Sequence, residues 1–244
     1  MFPEDCIQSV VGGGEWWVKN ETGTLCRGAL IFAFVPHVDQ IPFTFEPVGR
    51  NEADRHGDAK VKVAPLKVDQ PLKKIDLPVA AMTLHHAEVW AAYRAKKRPC
   101  IVVGMPGKEV DRALVRGTPK GATAPTMLVA PSYGVQKNTN RAGFPPGFVE
   151  RVRHLEYPQF FWDQLPESDK TPESIIRLDH LQPVGIHHHS LKITAWKLSS
   201  NGLTVIDEML AILMEGGVEA DSLVNMYREI IKELEPPPAA LSKS

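Results

Sequence analysis

Until about residue 200 most apolar residues fall in short runs of strand length; after it they recur at sustained helical spacing. ALIFAFV (29–35), RPCIVVG (98–104) and TMLVAPSYG (126–134) are bounded or broken by Pro and Gly and read as core strands, and SIIRLDHLQPVG (174–185) as one more strand and a turn. LTVIDEMLAILMEGG (203–217) differs, because Val205, Ile206, Met209, Leu210, Ile212 and Leu213 fall on one helical stripe. Asn201 or Thr204 suits its start and Gly216-Gly217 its end. DSLVNMYREIIKELE (221–235) repeats the pattern, with Asp221 as the expected N-cap. Strands first and helices last predict an α+β chain: a mainly antiparallel sheet or small β-barrel with inserted loops and two C-terminal helices.

The remaining segments organise around that frame. Residues 1–24, with the glycine run Gly12 to Gly14, read as a loosely structured lead-in that Trp16 and Trp17 pin down. Residues 25–235 read as one domain with an insertion at about 36–87, and residues 236–244 as a disordered tail. Inside the insertion, Pro36, Pro42, Pro47, Gly49 and Gly57 predict loops and a hairpin. VKVAPLKV (61–68) alternates like a half-buried strand that Pro65 confines to an edge. EVWAAYRA (88–95) predicts a further strand, and 106–125 an exposed loop. FVERVRHLEYPQFFWD (148–163) alternates over its first half and fits strand or short helix equally well.

Charge is segregated. Residues 91–153 hold twelve basic and three acidic side chains, so with a net charge of −1 the rest of the chain carries −10. Such a region draws phosphate-rich partners, or forms a solvated face. Lys96 and Lys97 lie in its densest part, and Lys137 and Arg141 in an irregular loop rich in donors. No apolar run approaches the roughly 18 residues of a membrane span, and the first residues lack the pattern of a secretory signal. Cys6, Cys26 and Cys100 form no close pair, which fits a reducing cytoplasm and thiols that serve as core residues.

Familiar catalytic signatures are missing: no P-loop, no GxGxxG after a strand, no GxSxG and no HExxH. Nine histidines invite a metal reading, through His37 with Asp39 or His56 with Asp58, but incidental surface histidines account for them better. No cofactor or metal is expected. Phosphodiester cleavage without a metal needs a cation for the charge that builds on phosphorus, and groups that move protons at the attacking and leaving oxygens. Arg98 suits the first role, since its planar fork holds two phosphate oxygens and Pro99 with the following strand fixes its backbone. Ser132, Tyr133, Asp163, Ser174 and Arg177 stand near strand ends, where partners for Arg98 converge.

An RG before an apolar strand, an RP before IVV, a strand ending VAP plus a hydroxyl residue, and SIIRLD before a terminal helix together resemble the MazF/PemK toxin family. The resemblance covers roughly residues 88–215, with Arg27-Gly28 as an outlying first strand. It implies an SH3-like barrel and a metal-independent endoribonuclease acting on single-stranded RNA as a homodimer, neutralised by an antitoxin protein. By the same resemblance the catalytic arginine falls on Arg98, the catalytic hydroxyl on Ser132 or Tyr133, and an acidic residue before Gln on Asp163. Arg27, Ser174 and Arg177 join Lys96, Lys97, Lys137 and Arg141 as RNA-binding candidates. Two other readings stay open: a non-catalytic nucleic-acid- or protein-binding module on the same barrel, and an assembly protein that uses its C-terminal helices.

Overall fold

The computed structural model describes residues 2–11, 15–69, 79–84, 88–118, 123–137, 142–166, 172–187 and 189–234. Eleven strands are found among them. These are β1 (Trp17–Lys19), β2 (Ala29–Pro36), β3 (Phe43–Gly49), β4 (Lys60–Pro65), β5 (Ala91–Ala92), β6 (Ala95–Gly104), β7 (Thr126–Gly134), β8 (Phe160–Gln164), β9 (Glu173–Arg177), β10 (Gln182–Gly185) and β11 (Leu191–Leu198). Four α-helices accompany them: α1 (Ile7–Val10), α2 (Pro146–Arg153), α3 (Ser200–Glu215) and α4 (Leu223–Leu234). The architecture is α+β, with a curled antiparallel half-barrel sheet.

That sheet runs β1-β11-β2-β6-β7-β9-β8, with β10 pairing β7. The chain divides into two units, Met1–Phe34 with Lys97–Ser244, and Val35–Lys96. The second unit is built on a three-stranded sheet in the order β4-β3-β5. Its strand β4 sits at an edge, as Pro65 requires.

In the first unit both faces of the sheet are covered. One face carries Leu30, Ile101, Ala130, Phe161 and Ile176 against Val205, Ile206 and Met209 of α3 and Val224, Tyr227 and Ile231 of α4. Burying each large apolar side chain there stabilises the fold by about 1.5–3 kcal/mol. On the other face Val149 and Val152 of α2 pack with Trp162, Ile175, Val135 and Cys6. The Arg27-Gly28 pair explains itself in this packing. Gly28 has φ +82°, and an added Cβ would lie 3.0 Å from Leu203 on α3.

Several expectations change. Residues 1–24 are not a loose lead-in where they are described: α1 and β1 are present, and Cys6, Ile7, Trp16 and Trp17 are buried. Only part of the expected strand 88–95 forms β5. FVERVRHLEYPQFFWD divides: its first half is helical as part of α2, because Pro145-Pro146 starts a helix and Val149 and Val152 then share one face, and its end forms β8. Strands β1 and β11 lie outside the expected set; WVK is brief, and the eight-residue LKITAWKL is punctuated by lysines. Ser199, rather than Asn201 or Thr204, caps α3 by accepting from Gly202 N at 3.2 Å, since β11 already ends at Leu198. Gly216 closes that helix with φ +87°, as expected. For α4 the cap is Ser222 in place of Asp221, its hydroxyl accepting from Asn225 N at 3.2 Å. The expected tail 236–244 and the glycine run 12–14 lie outside the described residues. No helix among the described residues is long and apolar enough to cross a membrane.

Candidate functional site

Antiparallel pairing decides which predicted residues meet. On β6 and β7, Cys100 lies opposite Pro131 and Ile101 opposite Ala130. Continuing that register puts Arg98 opposite Tyr133, so their side chains share a face. The Arg98 guanidinium sits 4.0 Å from the centroid of the Tyr133 ring, a cation–π contact. Pairing of β7 with β9 puts Tyr133 opposite Ile175, and Arg177 follows two residues later on the same side.

His180, in the short 3₁₀ turn Leu178–His180 after β9, closes the group. Its Nδ1 is 3.1 Å from the Tyr133 hydroxyl, and its Nε2 is 2.7 Å from an Arg177 terminal nitrogen. A guanidinium only donates, so Nε2 accepts and the ring is the neutral Nδ1–H tautomer. Nδ1–H therefore donates to the Tyr133 oxygen. Arg177 also donates to both carboxylate oxygens of Asp179, at 2.7 and 2.6 Å. Burial pushes the Asp179 carboxyl up, but the Arg177 hydrogen bonds and charge outweigh it and hold the group below its usual range. The fork is thus ionised and locked, and it fixes His180 in turn. Arg98, Tyr133, His180 and Arg177 are each partly exposed. The arrangement offers a cation, a phenol and an imidazole linked in series, which is suited to an anion whose oxygens exchange protons.

Three of the expected catalytic or binding residues lie elsewhere. Ser132, next to Tyr133 on β7, points to the opposite face, where it is 2% exposed and its hydroxyl has no hydrogen-bond partner among the described residues. Asp163 is completely buried and accepts from Trp16 Nε1 at 3.1 Å, Trp17 Nε1 at 3.3 Å and Gln164 N at 2.7 Å. Burial pushes its carboxyl up to about 7, against those three donors. It anchors the N-terminal segment to β8 and is closed to substrate. Ser174, opposite Asp163 in the β8–β9 register, is buried as well.

The outlying cations are dispersed. Arg27 donates to the Val103 carbonyl at 2.8 Å and pairs with Asp207 of α3. That carbonyl lies at the far end of β6 from Arg98, roughly 16 Å along the strand. Lys97 alternates away from Arg98, with Nζ 5.3 Å from the Phe32 ring centroid. Lys137 is exposed after β7, Lys96 is exposed and belongs to the second unit, and Arg141 lies outside the described residues. Cys100, two residues from Arg98, has its thiol pushed up to about 12 by burial, which fits a core role. His56 meets Arg50, with Nδ1 2.7 Å from a guanidinium nitrogen. Among the described residues no group of three or more His, Cys, Asp or Glu side chains could hold a metal ion.

Sequence reasoning passed over His180 and Asp179. Their one signal was proximity, LDHL following directly on the Arg177 strand. Comparison with protein-family models, curated proteins and solved structures finds no match for this chain.

Proposed function

We propose that this chain is a MazF/PemK-like endoribonuclease on an SH3-like barrel, cutting single-stranded RNA at the group formed by Arg98, Tyr133, His180 and Arg177. What supports the reading is one observation: Arg98 stacks on Tyr133, and Tyr133 is hydrogen-bonded through His180 to Arg177. In the reaction the 2′-oxygen attacks phosphorus and the bond to the 5′-oxygen breaks. A 2′,3′-cyclic phosphate and a 5′-hydroxyl result. Arg98 balances the charge on the phosphorane. Tyr133, accepting from His180 Nδ1–H, gives its proton to the leaving 5′-oxygen and takes one back from water, while the 2′-proton also passes to water. Arg177 holds His180 in the tautomer this requires. The same reading carries a homodimer and an antitoxin protein as partners, both testable by co-purification and sedimentation.

Arg98→Ala is expected to abolish cleavage of a single-stranded RNA while circular dichroism and melting stay those of the wild type. Activity is expected to survive EDTA. Full cleavage by a folded Arg98→Ala protein defeats the assignment.

A second reading, a non-catalytic RNA-binding module using the same group, is favoured by the burial of Ser132 and Asp163. It leaves Tyr133 as the one predicted hydroxyl at the site. Under it, affinity falls steeply with salt but no cyclic phosphate forms. Product analysis on a 5′-labelled RNA separates the two.

A further inference from the structure

The contacts do not stop at Arg177. Its guanidinium also lies 4.9 Å from the centroid of Phe160, the residue opposite it in the β8–β9 register. Phe160 meets Tyr157 edge-on, with centroids 6.2 Å apart, and Arg151 of α2 lies 5.2 Å from the Tyr157 centroid. Three rings in succession, Tyr133, Phe160 and Tyr157, each carry an arginine. All belong to the first unit, and all six side chains are at least partly exposed.

Packing alone accounts for part of this. Phe160 and Tyr157 rest on the cluster beneath α2, and such satellite aromatics usually do no more than cover a core. The arginines add something. Arg177 meets Asp179 and His180 through Nε and one terminal nitrogen, and Arg151 donates through Nε to Glu156 at 2.6 Å. Each guanidinium has a carboxylate at its edge and its central carbon over an aromatic ring. What it offers a ligand is its other face, a flat cationic surface held in place. Unpaired nucleobases stack on arginine planes as they do on aromatic rings.

We infer that these arginine-capped rings form a track for an unpaired RNA strand, running from the phosphate held at Arg98, past Arg177 and Phe160, to Arg151 and Tyr157. The inference rests on the RNA reading above and extends it: bases beside the scissile phosphate are gripped by stacking, with no demand for a particular sequence. Because Glu156 and Asp179 neutralise the outer arginines, the track adds affinity with little salt dependence. Arg98 supplies the salt-dependent phosphate contact.

The experiment is fluorescence anisotropy with a 2′-O-methyl octanucleotide, which cannot be cleaved, and with a 2′-O-methyl dinucleotide, each at several salt concentrations. Tyr157→Leu, which keeps apolar volume, and Arg151→Gln, at an exposed side chain, are expected to weaken the octanucleotide several-fold to about tenfold. Both are expected to leave the salt slope and dinucleotide affinity unchanged. Arg98→Gln should weaken both ligands and flatten the slope. With wild-type protein, replacing the flanking bases by abasic sites should cost about the same factor as Tyr157→Leu. If the abasic octanucleotide binds like the intact one, or Tyr157→Leu and Arg151→Gln bind it like wild type, the track is wrong. The site at Arg98 then still stands, provided that Arg98→Gln is impaired. If no oligonucleotide binds to wild-type protein, the track and the RNA reading fall together.

Discussion

Asp163 shows at the scale of one residue how a plausible catalytic carboxylate becomes a structural one. Its oxygens take two indole N–H groups and a backbone N–H in a fully buried setting, and its carboxyl is raised to about 7. A folded-state value above the unfolded one means that the folded protein binds the extra proton. The stability this gives is complete below about pH 4 and declines as pH rises toward 7. Asp5 and Asp179 work in the other direction. Burial opposes ionisation of both, but hydrogen bonds with His154 and Arg153 for Asp5, and with Arg177 for Asp179, hold them low, so their share is lost in acid. Urea unfolding at pH 5 and pH 8 isolates Asp163. Asp163→Asn is expected to cost about 1–3 kcal/mol at pH 5, because its amide N–H₂ would face a Trp indole donor. A smaller cost is expected at pH 8, where the wild type has already lost its advantage. An equal cost at both pH values would show that the buried carboxyl does not titrate in that window.

Register and capping govern at the scale of elements. Ser132-Tyr133 is ambiguous in sequence because neighbouring strand residues face opposite ways and both are hydroxyl donors. Pairing with Arg98 on one side and with Ile175 on the other selects Tyr133. FFWDQ was harder still: Phe161, Trp162 and Asp163 are all buried because both faces of β8 are covered, so no alternation reports which way Asp163 points. The start of α4 shows a similar dependence on a distant element. Glu208 of α3 accepts from Leu223 N at 3.1 Å and from Val224 N at 2.8 Å, which places a carboxylate at a helix N-terminus. Glu208→Ala is expected to destabilise the fold by about 1–2 kcal/mol. It should leave oligonucleotide binding unchanged, as denaturation and anisotropy on one preparation would check.

For the whole molecule, the Val35–Lys96 unit enters and leaves at neighbouring points, since His37 N donates to the Arg94 carbonyl at 2.8 Å. A tight turn therefore suffices to rejoin the chain. Replacing residues 38–93 by such a turn is expected to leave a folded protein with a cooperative melt and intact binding at Arg98. Loss of cooperative folding would show that the division into two units is not an energetic one. What the sequence determined by itself was local and periodic: the strand-length apolar runs, the two terminal helices, and the rigid seat of Arg98 before Pro99. Each follows from backbone sterics or from periodicity within a few residues. The tertiary structure alone decided which side chains share a face and which are shut away. It sent Ser132, Asp163 and Ser174 into the core, tied Arg27 to α3, and brought His180 between Tyr133 and Arg177. Those outcomes depend on strand register and on which layers cover the sheet, both set by contacts between residues far apart in the chain.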